Sequence, residues 1–125
     1  YKLANFQYMK ITHILAGLLM SAASQTAFCG MTVADFQAKS KTQAVEAYVL
    51  GVAGGLNAAN SALVMGKGTP LFCLPPFLKL TTANYKEIIA LGINDLGSNK
   101  LDKQSMDIDS ILLKKMIELY PCGYN

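Results

Sequence analysis

Apolar residues recur every three or four positions over several stretches of this chain, which is the period of a helix with one buried face. The longest stretch predicts a helix over residues 42–65. Its apolar positions are Val45, Tyr48, Val49, Val52, Leu56, Ala59 and Leu63. We therefore expect one face of this helix to be buried.

Three glycines lie inside this helix, and each costs up to about 1 kcal/mol relative to alanine. They are Gly51, Gly54 and Gly55. Close approach of another helix is the favoured explanation, and a break or a gap that faces a ligand is the alternative. The run over residues 51–55 lacks the spacing of a phosphate-binding loop, and no Lys-Ser/Thr pair follows it.

Three shorter helices are predicted around this one. Thr32 caps a first helix that ends at Lys39, a third helix covers residues 82–93, and the last covers residues 107–120. The third helix is capped either by Asn84 in a capping box with Glu87, or by Thr81 or Thr82. The apolar side of the last helix contains one polar residue, Lys115.

The segments between the helices carry turn and loop signals. Residues 66–70 form a Gly- and Pro-containing turn, and residues 92–104 read as an exposed polar loop. Residues 71–78 are apolar, but Pro75 and Pro76 exclude a regular helix. We interpret this stretch as a connector that packs on the core and is held by Cys73. Strand alternation is absent from the sequence, which predicts a small all-α bundle of about four helices.

The N-terminal part of the sequence has the layout of a secretory signal. Lys10 follows Met9, an apolar run covers residues 14–23, and small and polar residues extend to Ala27. The run is about half the 20 residues that a membrane-spanning helix needs, so a removed signal is favoured over an anchor or a cytosolic core helix. Cleavage after Ala23, Ser24 or Ala27 fits the pattern.

We therefore divide the chain into three parts. Residues 1–8 are upstream residues and are excluded from the fold prediction. Residues 9–27 form the signal, and residues 28–125 form one domain, located in the periplasm after export. We expect no membrane association of this domain once the signal is removed.

The charge of the exported domain is nearly balanced. The full chain carries +3, but residues 28–125 contain nine lysines and eight carboxylates. The sequence has no arginine, and bidentate guanidinium contacts are the commonest specific contacts to DNA. Nucleic-acid binding is therefore not expected.

Few side chains in this domain suit catalysis. His13, the single histidine of the sequence, lies inside the signal. Histidine-dependent triads and most zinc sites are thereby excluded from the domain. We predict neither an enzyme nor a metal or cofactor site; a thiol enzyme that uses Cys29 is disfavoured because a partner base and a Cys-x-x-Cys motif are missing.

Two of the three cysteines should pair in an oxidising compartment. Cys73 and Cys122 are the favoured pair, because each lies near a proline at the edge of a predicted helix. Their bond would close a loop of about 50 residues and stabilise the domain by roughly 4 kcal/mol. Cys29 is left over, either as a free thiol or as a bridge between two chains.

Four short segments stand in a familiar order after the signal. They are residues 47–56 (AYVLGVAGGL), 72–75 (FCLP), 80–81 (LT) and 119–122 (LYPC). Together they resemble the Rap/Tai family, the periplasmic immunity proteins of type VI secretion amidase effectors. The resemblance covers roughly residues 33–122.

The resemblance implies an all-helical protein, often a homodimer, that binds a secreted peptidoglycan amidase and blocks its cleft. It also implies a structural disulfide between Cys73 and Cys122 and a packing helix that contains Tyr48, Gly51 and Gly55. Such a protein needs no catalytic group of its own. An alternative function is that of a small disulfide-stapled periplasmic chaperone of the acid-resistance type.

An immunity protein should use exposed loops to reach into the cleft of its target. Two polar, glycine-bearing segments are the candidates, residues 94–103 and residues 66–69. The candidate binding residues in them are Asn94, Asp95, Ser98, Asn99, Lys100, Asp102, Lys103, Lys67 and Thr69. The alternative for each loop is an ordinary connector.

Overall fold

The structure is a computed structural model that describes residues 30–98 and 102–123. Four α-helices account for most of this part: α1 (Val33–Lys39), α2 (Gln43–Met65), α3 (Thr82–Asp95) and α4 (Ile108–Leu119). A short 3₁₀ helix, Lys103–Ser105, precedes α4. The predicted all-α fold is confirmed. The predicted signal, the upstream residues and Cys29 lie outside the described residues.

Threonines cap the first two helices: the sequence predicts this role for Thr32, whereas it counts Thr42 as the first residue of the second helix, which in the structure begins one residue later. Thr32 Oγ1 accepts a hydrogen bond of 3.2 Å from the amide of Asp35, and Thr42 Oγ1 accepts one of 3.4 Å from Val45. Each bond satisfies an amide that has no partner within its helix. Lys39 ends α1 and forms an ion pair with Asp35 one turn earlier.

The third helix begins with a reciprocal cap. Thr81 Oγ1 accepts a hydrogen bond from the amide of Asn84, and Asn84 Oδ1 accepts one of 2.9 Å from the amide of Thr81. Of the alternatives that the sequence left open, Thr81 as the cap is confirmed, and the box of Asn84 with Glu87 is wrong.

The end of α3 differs from the prediction. The helix continues beyond Ile93 to Asp95, although the sequence places an exposed loop from Gly92 onward. Gly92 is buried and packs against Ile111 of α4. Helix–helix packing therefore overrides the turn-forming tendency of this glycine, since only a residue without a Cβ fits there.

The core lies where α3 and α4 pack on each other and on the first half of α2. Each core residue exposes less than a tenth of its surface to solvent. These residues are Val33, Phe36, Val45, Val49, Ala53, Phe72, Tyr85, Ile88, Ile89, Ile93, Ile108, Ile111, Leu112 and Met116. The last helix places Ile108, Ile111, Leu112 and Met116 inward, whereas Leu119 is exposed.

The start of the described chain is joined to the start of α4. The amide of Val33 donates to the carbonyl of Met106, and the amide of Ile108 donates to the carbonyl of Met31, each at 2.9 Å. Thr32 and Asp107 thereby form an isolated antiparallel bridge. This contact fixes α1 at the end of the bundle where α4 begins.

Other elements of the described chain cover only the first half of α2. Its buried residues are Val45, Val49 and Ala53, whereas the predicted inward positions Ala59 and Leu63 are exposed. The expectation of one face buried along the helix is therefore wrong for its second half. The helix is longer than the helices that it packs against, so its last turns extend beyond the core.

The glycines of α2 do not meet another helix within the described part of the chain. A Cβ placed on Gly51, Gly54 or Gly55 would have nothing within 4 Å. The favoured explanation, close helix approach, is wrong within the described residues, because these glycines lie on the side of α2 away from Val45 and Val49.

Candidate functional site

The segment between α2 and α3 is fixed at its start by a disulfide. Cys73 bonds to Cys122, with their Cα atoms 4.8 Å apart, and this confirms the predicted pair. The amide of Cys73 also donates a 2.8 Å hydrogen bond to the carbonyl of Tyr120. The connector is thus joined covalently to the end of α4. A structural disulfide indicates an oxidising compartment outside the cytosol.

A second attachment of the connector comes from α2. Asn60 Oδ1 accepts hydrogen bonds from the amides of Leu71 (2.7 Å) and Phe72 (3.3 Å), and Asn60 Nδ2 donates to the carbonyl of Phe72 at 2.8 Å. The Phe72 side chain is buried in the core. The connector is therefore packed on the core at this end, as predicted.

The middle of the connector leaves the core as a tight turn, residues 75–78, which we call the Phe77 turn. The amide of Leu78 donates to the carbonyl of Pro75 at 3.1 Å. Phe77 has a φ of 71°, in the left-handed region, and its side chain is 100% exposed. Such a backbone suits glycine or asparagine at the third position of a type II turn, and costs a bulky residue about 1 kcal/mol.

Nothing in the sequence pattern indicates a site at the Phe77 turn. Two prolines followed by Phe77 and Leu78 indicate a non-helical apolar stretch, and a buried connector is the ordinary interpretation of that pattern. Leu74 and Leu80 do pack against the core on either side of the turn. The exposure of Phe77 between them depends on the geometry of the turn, which periodicity does not report.

The predicted binding segment at residues 66–69 is the end of α2. The amide of Lys67 donates to the carbonyl of Val64 and that of Gly68 to the carbonyl of Leu63. These two bonds form a Schellman motif, with Lys67 at a φ of 58°. Lys67 and Thr69 are exposed. The segment is reachable, but its conformation is accounted for by helix termination.

The predicted binding segment at residues 94–103 does not form one loop. Asn94 and Asp95 are the last residues of α3, and Ser98 follows as an exposed residue. Asn99 and Lys100 lie outside the described residues.

The far end of this segment leads into the 3₁₀ helix. Asp102 precedes that helix and is exposed, and its carbonyl accepts a hydrogen bond from the side chain of Ser105. Lys103 Nζ donates to the carbonyl of Gly97 at 3.5 Å, across the segment. These contacts hold the two ends of the segment close together.

Asp95 has a partner on α4. Lys115 Nζ lies 2.5 Å from Asp95 Oδ2 and 2.5 Å from Glu118 Oε2, and the Lys115 side chain is buried. Hydrogen bonds to Asp95 and then to Glu118 raise the pKa of Lys115 above its ordinary value. Lys115, the one polar residue on the apolar side of α4, thus forms an ion pair with Asp95 on the neighbouring helix.

A cavity of about 350 Å³ lies between α3 and α4 beside this ion pair. Lys114, which also lines it, lies 3.8 Å from Glu118. The charged groups that line the cavity pair with one another, so among the described residues the cavity presents no unpaired charge to a ligand. In the described ranges, 30–98 and 102–123, no three His, Cys, Asp or Glu residues are grouped to hold a metal ion.

The predicted packing helix is α2, and Tyr48 has a defined structural contact there. Its hydroxyl accepts a 2.9 Å hydrogen bond from the amide of Met31, which ties α2 to the segment before α1. Gly51 and Gly55 are exposed on the same helix and contact no other element among the described residues.

The length and composition of α2 would allow it to cross a membrane. Its most apolar window has a mean hydropathy of 1.3 and is 11% buried. Length and composition alone are weak evidence, and polar contacts hold this helix on the domain. Asn57 Nδ2 donates to the hydroxyl of Tyr85 on α3 at 3.0 Å, and Asn60 binds the connector.

Comparison with known proteins identifies no relative of this chain. No protein-family model matches this sequence, and neither the curated proteins nor the solved structures give a significant match.

Proposed function

We propose that this protein is a periplasmic immunity protein that binds a secreted peptidoglycan amidase and blocks its cleft. The target is of the papain-like type that type VI secretion systems deliver. The protein acts by occupying the groove and shielding the catalytic cysteine and histidine from substrate. It carries out no chemistry of its own.

The observation that carries the proposal is the bond between Cys73 and Cys122. It joins two of the segments on which the resemblance to the Rap/Tai family depends, residues 72–75 and 119–122. The third such segment, Leu80-Thr81, starts α3 directly after the connector. Segments far apart in the sequence are therefore parts of one structural unit, as the resemblance implies.

The physical character of the unit also suits an inhibitor. The disulfide, the Asn60 contacts and the proline pair restrict the connector before any partner arrives. Preorganised surfaces lose less conformational entropy on binding, and this raises affinity. The disulfide also favours an oxidising, exported compartment, and a cell-wall hydrolase acts outside the cytosol.

The test is direct inhibition of a purified enzyme. The oxidised domain, without the predicted signal, is mixed with the peptidoglycan amidase encoded beside it and with a panel of amidases of the same type. Release of peptides from purified peptidoglycan is measured against inhibitor concentration. We expect saturable inhibition of one amidase at a stoichiometric ratio, and a stable complex on size-exclusion chromatography.

Two controls sharpen this test. Lysozyme, which cleaves the glycan strand, should not be inhibited. Protection of a client protein from aggregation at pH 2–3, together with no inhibition of any amidase, would replace the proposal with the chaperone function.

A further inference from the structure

We infer that the Phe77 turn is the part of the protein that enters its partner, with the Phe77 ring in an apolar pocket of the peptide-binding groove of the amidase. This inference rests on the proposed function and names the contact that would perform it. It differs from the sequence prediction, which places the binding residues at 66–69 and 94–103.

The first argument is that Phe77 is unfavourable in the free protein on two counts. Its ring is wholly exposed, and its backbone has the left-handed φ that glycine adopts readily. A turn that served only to connect two helices would be better made with glycine or asparagine at this position. Burial of the ring in a partner supplies the benefit that the free protein lacks.

The second argument is that the turn is held firmly from both sides. Phe72 and Cys73 fix the chain before it, through the core and the disulfide, and Leu80 and the Thr81 cap fix the chain after it. Pro75 and Pro76 restrict the residues between these attachments. An aromatic side chain on a restrained turn loses less conformational entropy on binding than one on a mobile loop, and this raises affinity.

The third argument concerns the chemistry of the surface that the turn can meet. Residues 75–78 carry no charge, and Lys79 directly after them is exposed with no ion-pair partner among the described residues. A convex apolar tip followed by a cation fits a concave apolar pocket with a carboxylate at its rim. A groove that accepts a peptide offers such pockets for side chains.

The exposed end of α2 is a weaker candidate for this contact. Met65 is 78% exposed, but ordinary helical backbone carries it. Its position follows from the length of the helix alone. The Phe77 turn combines exposure, an unusual backbone and attachment at both ends.

The experiment compares variants at Phe77 against the amidase that the wild-type protein inhibits. We expect Phe77→Ala to weaken inhibition at least about 30-fold, as loss of an aromatic hot spot does. Phe77→Leu should retain most of the inhibition, since it keeps an apolar side chain. Leu91→Ala, at an exposed leucine on α3, is the matched control and should inhibit like the wild type.

Phe77→Gly separates binding from folding. It removes the side chain and relieves the left-handed backbone, so we expect a melting temperature no lower than that of the wild type. Its inhibition should nevertheless fall as far as that of Phe77→Ala. A purely structural role of Phe77 would move both measurements in the same direction.

The outcomes distinguish this inference from the function on which it rests. If the wild type inhibits and Phe77→Ala inhibits equally well, the inference is overturned and the proposed function stands. If the wild type inhibits no amidase, both are overturned. If Phe77→Ala abolishes a wild-type homodimer, seen by sedimentation, while inhibition persists, the turn docks on a second copy and the inference is wrong.

Discussion

Gly92 of α3 lies against Ile111 of α4 with no room for a methyl group between them. A Cβ built on Gly92 would lie 2.5 Å from Ile111 Cγ2 and 2.8 Å from Lys115 Cγ. The spacing of the two helices that form most of the core therefore depends on the missing side chain.

Substitution of this glycine tests that dependence. Gly92→Ala should lower the free energy of unfolding by about 1–3 kcal/mol, because the helices must separate or shift to admit the methyl group. The measurement is urea denaturation followed by circular dichroism. Gly55→Ala is the matched control: its Cβ meets nothing, so removing a helical glycine should raise stability by up to about 1 kcal/mol. Equal stability of both variants would contradict the packing described.

The side chain of Asn60 should contribute strongly to the attachment of the connector. Asn60→Ala leaves two amides and the carbonyl of Phe72 without their partner, which costs about 1–3 kcal/mol. Asn60→Asp keeps the acceptor but loses the donor, so its free energy of unfolding should lie between those of the wild type and Asn60→Ala. Ser61→Ala, at an exposed neighbouring position, should change stability by less than about 0.5 kcal/mol. Chemical denaturation of the wild type and the three variants measures the order of their stabilities.

The disulfide should account for a large share of the stability. Replacing Cys73 and Cys122 together with serine removes a link across 49 positions of sequence, at a cost of about 4 kcal/mol. Urea denaturation with and without dithiothreitol provides the control. Reductant should lower the wild type to the level of the double variant and leave the double variant unchanged. A wild type insensitive to reductant would contradict this role.

The Lys115 ion pair predicts a loss of stability at alkaline pH. The folded state raises the pKa of Lys115 above its ordinary 10.5. Its contribution is therefore complete below that value and is lost as the pH rises through the higher folded pKa. Lys115→Met keeps the buried volume and removes the titration, so its stability should fall less steeply above about pH 10.5.

Thermal melts from pH 7 to 11.5 measure the difference between the two proteins. Lys114→Met, at an exposed lysine nearby, is the control and should follow the wild type. At pH 7 the Lys115→Met variant should be close to wild type in stability, because Asp95 and Glu118 remain half exposed and hydrated.

The local signals in the sequence predict most of the helix boundaries. Thr32, Thr42 and the apolar spacing locate the first two helices, because capping and periodicity depend on neighbouring residues. The end of α3 was predicted wrongly because Gly92, Asn94 and Asp95 favour turns by themselves. Their helical conformation follows from contacts with Ile111 and Lys115, which lie elsewhere in the sequence.

The surface was less predictable than the fold. The periodicity of α2 indicates an apolar face but not how much of it the other helices reach, and they stop short of Leu63. The Phe77 turn was missed for a related reason. Two prolines restrict the backbone, yet which side chain they turn toward solvent depends on the attachments at Phe72 and Leu80.

The bridge between Thr32 and Asp107 has a consequence for the order in which the molecule assembles. Its two residues, Thr32 and Asp107, lie near opposite ends of the described part of the domain, so a chain synthesised from the N-terminus cannot form the bridge until Asp107 has been added. The segment around Thr32 therefore has no final partner until most of the domain has been made, and the fold is completed late.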